Sequence, residues 1–87
     1  MDEKNKLWEI IDDEIKSQIH DNESVTSYVY EHGIIGLRYH KIESGIHKAA
    51  LIGCLPFSLS YKLPENTLRL VIKGLVEYLR ENADMEI

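Results

Sequence analysis

A single cysteine, Cys54, leaves no partner for a disulfide within the chain, a usage that fits a reducing compartment. Only two prolines and five glycines interrupt 87 residues, and no repeat or biased tract is present. Such a chain is not expected to be disordered beyond its ends. Long apolar runs are missing as well. The longest, Ala49 to Phe57, is roughly half of what a membrane-spanning helix needs. Charges break up the apolar residues from the start, which argues against a signal peptide. These absences predict one soluble, cytoplasmic domain over residues 1–87, near the lower size at which a single core suffices.

Basic residues are also in short supply. Ten Lys and Arg stand against 15 Asp and Glu, for a net charge of −5 and a pI near 5.3. The imbalance is uneven. Residues 1–23 hold eight acids and three bases, and residues 77–87 hold four acids and Arg80. The middle, residues 24–76, holds six bases and three acids. Solvated helix faces account for most such charge. The sharper alternative is an acidic surface, built from both termini, that docks on a basic partner.

Hydrophobic periodicity predicts a mainly α fold, a small bundle of about four helices, with α+β as the alternative. The clearest stretch is Pro64 to Asn82. Leu68, Val71, Ile72, Leu75, Tyr78 and Leu79 recur at spacings of three and four, and Pro64 and Glu65 suit a helix start. A first helix is expected over 3–21, where Leu7, Ile11, Ile15 and Ile19 step by fours beside Trp8. Asp2 or Asn5 is its expected cap, and Trp8 its core anchor or, alternatively, an interface residue.

The middle is harder to read. Ser24 as N-cap and Gly33 at a C-cap position predict a short second helix, although the β-formers of Val25 to Tyr30 make a strand the competing reading. Ser44 as N-cap predicts a further helix from about Gly45 to Leu55, stopped by Pro56. Strict alternation from Phe57 to Leu63 predicts a strand, which Leu37 and Tyr39 would pair with in a minor two-stranded sheet over 35–41 and 57–63.

Chemistry-bearing motifs are few. His40, His47 and Cys54 are seven residues apart, so on one helix each step rises roughly 10 Å and the three cannot converge on a metal. No HxxxH, CxxC or HExxH spacing replaces them, and no cofactor is expected. Cys54 lies in an apolar run that reads as core, far from any activating base. Gly33-Ile34-Ile35-Gly36 lacks the lysine and further glycines of a phosphate loop. The expectation is therefore a non-enzymatic protein.

Two binding readings remain. Leu70 faces away from the apolar stripe of the last helix, with Gly74 one turn on and Glu77 and Glu81 beside it. A leucine next to a glycine makes a groove for another protein, or for a second copy in a homodimer. That strip, in a small acidic inhibitor, immunity-type or regulatory protein, is the leading expectation. A special case is mimicry of nucleic acid by Glu9, Asp13, Glu81 and Asp84. The alternative is a nucleic-acid-binding module using Arg38, His40, Lys41 and Lys48, against which the acidic balance argues. No membrane partner is expected.

Overall fold

In the computed structural model, residues 3–83 and 85–86 are described, without the side chains of Glu3, Lys4, Cys54, Met85 and Glu86. Helix α1 (Glu3–Lys16) leads into strand β1 (Glu23–Val29), a 3-10 turn (Glu31–Gly33), β2 (Ile34–Glu43) and β3 (Ile46–Pro56). One helical turn, α2 (Phe57–Ser60), precedes the long helix α3 (Glu65–Glu81) and the short strand β4 (Met85–Glu86). The four described strands pair antiparallel in the order β1-β2-β3-β4. The fold class is therefore α+β, and the expected four-helix bundle is incorrect.

The error lies in the middle third. Ser24 to His32 is a strand and loop in place of a helix, and Gly45 to Leu55 is β3. Ser44 does not cap a helix. Ser44 and Gly45 have φ of 53° and 77° and join Glu43 to its partner Ile46. Positive φ at both centre positions suits the right-handed twist of a two-residue hairpin. A short, unbroken apolar run such as Ala49 to Leu55 has no period to separate strand from helix, so the turn decides. Gly33 does adopt positive φ, at 72°, but it turns the chain from β1 into β2. Residues 35–41 are strand as expected, whereas 57–63 is not: it begins with the α2 turn. There Ser60 donates a 2.9 Å hydrogen bond to the Pro56 carbonyl, and Phe57 packs edge-on to Tyr61 one turn later.

Both long helices are where periodicity puts them, with α1 ending at Lys16 and short of residue 21. Just past that end, Ser17 Oγ and Gln18 Nε2 both donate to the Glu14 carbonyl, side-chain bonds that compete with continuing the helix. Asp2, one of its two expected caps, lies outside the described residues. Leu7, Ile11 and Ile15 of α1 meet Leu68, Ile72, Val76 and Leu79 of α3 over Ile35, Leu37, Tyr39 and Ala50 of the sheet. Burying each large aliphatic side chain contributes roughly 1.5–3 kcal/mol. Trp8 packs against this core, with its ring 5.9 Å from Phe57. Tyr78, expected in the stripe, is 53% exposed, and Val76 takes the buried position.

All of these core residues of the sheet lie on one face. Side chains alternate along a strand, so the cross-strand register fixes the other face: Ser24, Thr26 and Tyr28; Ile34, Gly36, Arg38, His40 and Ile42; His47, Ala49, Leu51 and Gly53. No described helix packs there.

Candidate functional site

Two features of this helix-free face stand out. The first is a glycine pair. Gly36 and Gly53 are partners across β2 and β3, and a tyrosine ring lies over each. A Cβ on Gly36 would stand 2.7 Å from the Tyr28 ring, and one on Gly53 3.1 Å from that of Tyr30. The two rings meet edge to face with centroids 6.0 Å apart. Absence of side chains thus lets two aromatic rings lie down on the backbone.

Charge is the second feature. Arg38, in the middle of the face, holds its guanidinium 5.8 Å over the Tyr28 ring, in cation–π range. Across from it stands Leu51, 50% exposed, and Ile42 further along is 51% exposed. No carboxylate belongs to this face of β1, β2 or β3. The other two arginines both grip acids: Arg69 contacts Asp13 at 2.8 Å and Glu65 at 3.1 Å, and Arg80 contacts Glu23. Among the described residues, Arg38 has no carboxylate partner.

Beneath the sheet sits a polar network. Arg80 donates to both carboxylate oxygens of Glu23, at 2.6 and 2.9 Å, and to the Gln18 carbonyl. The Tyr39 hydroxyl and the His20 backbone N–H donate to the same carboxylate. The Glu23 side chain is only 3% exposed, yet the Arg80 hydrogen bonds hold its pKa at about 2 against the opposing effect of burial. Burial and the adjacent anion push the Tyr39 phenol up to about 12. These groups satisfy one another and tie the end of α1, β1, β2 and α3 together. That is a structural knot.

The sequence-derived site residues are distributed as follows. Leu70 is 68% exposed, nothing approaches within 4 Å of a Cβ on Gly74, and Glu77 and Glu81 are exposed beside them. The strip is therefore intact on the outside of α3. The basic set splits. Arg38 and His40 share the helix-free face, while Lys41 and Lys48 lie on the opposite face and hold Glu43 at 3.2 and 3.1 Å. His40 and His47 are diagonal neighbours on adjacent strands of one face, which replaces the single-helix spacing expected of them. The Cys54 side chain is outside the description. Among the described residues no group of three or more His, Cys, Asp or Glu is gathered to hold a metal ion.

Of the acidic mimicry set, Glu9 and Glu81 are exposed, Asp13 is bound to Arg69, and Asp84 lies outside the described residues. No described helix is long and apolar enough to cross a membrane. Sequence reasoning missed Tyr28, Tyr30, Ile42 and Leu51 as one surface. The signal was available in the alternation of Ser24, Thr26, Tyr28 and Tyr30, once that stretch is taken as a strand. No protein-family model, curated protein or solved structure matches this chain.

Proposed function

We propose that the protein acts by binding another protein, without catalysis, and that the helix-free face of its sheet is the binding surface. The observation that carries this reading is the composition of that face: Tyr28, Tyr30, Ile42 and Leu51 around one arginine, with no carboxylate on its three long strands. Antiparallel sheets with one wet face ordinarily alternate apolar-in and polar-out. Here large apolar side chains occupy the wet side too, and clustered apolar surface rimmed by polar groups marks protein contact sites. Aromatic residues and arginine are the types that contribute most at such contacts.

The outer strip of α3, Leu70, Gly74, Glu77 and Glu81, is a second surface, supported by the 68% exposure of Leu70. It presents one large apolar residue among acids and suits a smaller contact, self-association included. Cross-linking in the native host followed by mass spectrometry tests both, comparing the wild-type chain with Leu51→Glu and Leu70→Glu. Loss of the cross-linked proteins in Leu51→Glu alone supports the sheet face, and loss in Leu70→Glu alone transfers the role to α3. Light scattering on the same samples reads self-association. Cross-links unchanged by either substitution refute both surfaces.

A further inference from the structure

The partner's chemistry follows from an imbalance of charge. In a chain of net charge −5, Arg38 is the one arginine without a carboxylate among the described residues, and the three long strands place no carboxylate on its face; the nearest described acid at the rim, Asp21, lies at the far end beside His40 and His47. The two histidines of that face, His40 and His47, bring imidazole donors and no fixed negative charge. We infer that the face receives an acidic amphipathic helix of a partner protein, whose carboxylate pairs with Arg38 and whose apolar side chains lie against Tyr28, Tyr30, Leu51 and Ile42. This rests on the protein-binding reading above and adds the occupant's chemistry.

Three points select this occupant. Arg38 is already set over the Tyr28 ring, so its planar fork is oriented before a carboxylate arrives and less side-chain freedom is lost on binding. A helix is the element that covers the opposite face of the same sheet, where α1 and α3 are both amphipathic. A second helix layer would complete a sheet covered on both sides. A second copy docked face to face would meet Arg38 with three long strands that carry no carboxylate on that face, leaving both arginines without a partner from the strands. A nucleic acid fits the two tyrosines as stacking surfaces, but tracking a phosphate backbone takes several cations. Lys41 and Lys48 are on the far side of the sheet, bound to Glu43.

The test is fluorescence anisotropy on the full chain with three labelled probes. One is a peptide of about 16 residues, long enough for a helix, with leucines at spacings of three and four flanked by glutamates. The second replaces its glutamates with lysines, and the third is an oligothymidylate. The glutamate peptide is expected to bind at least about tenfold tighter than the lysine peptide. Arg38→Glu should remove that preference, Arg38→Lys should weaken binding by a few-fold through loss of the fork, and Leu51→Ser should weaken both peptides. Circular dichroism checks that each variant is folded, and Lys16→Gln, at an exposed position of α1 on the other side of the sheet, is the neutral control.

Equal binding of the two peptides, still lost in Leu51→Ser, overturns the acidic occupant and leaves the protein-binding reading standing. Binding of neither peptide also overturns it, while the host cross-linking experiment judges the broader reading separately. Tighter binding of oligothymidylate, lost in Arg38→Glu, overturns both in favour of nucleic acid.

Discussion

Arg80 of α3 closes a two-pronged pair on Glu23 of β1, with Nε 2.6 Å from one carboxylate oxygen and Nη2 2.9 Å from the other. The pair joins the end of the last long helix to the first strand of the sheet. It makes folding stability depend on acid. The Glu23 carboxyl is lowered from 4.5 to about 2 in the folded chain, so the folded state binds fewer protons than the unfolded one between those values. The stabilisation is complete above pH 4.5 and is lost as the pH falls through about 2. Its size is roughly 3 kcal/mol. Denaturant melts at neutral and acid pH should show this loss in the wild type and a clearly smaller one in Glu23→Gln. An unchanged pH dependence in that variant would place the acid sensitivity elsewhere. Glu23→Ala should be far worse than the glutamine, by roughly 3 kcal/mol or more, because it leaves Arg80 only the Gln18 carbonyl and takes from Tyr39 the acceptor of its hydroxyl.

Helices α1 and α3 were legible because an amphipathic helix with one buried face repeats its apolar residues at spacings of three and four. Leu7, Ile11, Ile15, Leu68, Ile72 and Leu79 are all buried. The sheet was not, for a physical reason that differs strand by strand. β1 mixes β-formers with serines that also suit helix caps, and β3 is apolar on both faces, since Ala50 is buried while Leu51 is exposed. Either pattern is compatible with two periods. The decisive information was local, in Ser44-Gly45. As for the site, the exposure of Leu70 could be foreseen from helix geometry alone. The face built by Tyr28, Arg38 and Leu51 required the strand register, which joins residues far apart in the chain.

Gly36 is expected to tolerate alanine as a fold and to fail as a surface. The added methyl would stand 2.7 Å from the end of the Tyr28 ring, which can swing outward into solvent and so relieve the contact. Stability should fall by no more than about 1–2 kcal/mol. The ring would no longer lie flat, however, and Arg38 would lose its support. Gly36→Ala should therefore weaken partner binding more than its effect on thermal melting suggests. Gly53→Ala, with its contact to Tyr30 at 3.1 Å, should do so less. Equal loss of stability and binding in Gly36→Ala would contradict this separation.

The β2–β3 turn offers a gain as well as a loss. Ser44 sits at φ 53°, where asparagine is more at ease than serine, and Gly45 at φ 77°. Ser44→Asn should stabilise by a few tenths of a kcal/mol, and Gly45→Ala should cost about 1–2 kcal/mol. In a domain of this size about 1 kcal/mol moves the melting temperature by roughly 4–8 °C, so calorimetry resolves the loss easily. A Gly45→Ala variant as stable as the wild type would rule out this turn.

Leu70 and Ile72, two residues apart on α3, make the sharpest comparison of packing. Ile72 is fully buried between α1 and the sheet, whereas Leu70 is 68% exposed on the opposite side. Ile72→Ala removes buried methyl groups and leaves a cavity in the core between α3, α1 and the sheet, so it should cost about 2–5 kcal/mol. Leu70→Ala removes a side chain that is mostly in water already, and alanine is the better helix former, so stability should change by less than about 0.5 kcal/mol. Denaturant titration of the two variants decides the orientation of α3 directly. The reverse order of losses would mean the helix is rotated, with the Leu70–Gly74 strip inside and unable to meet any partner.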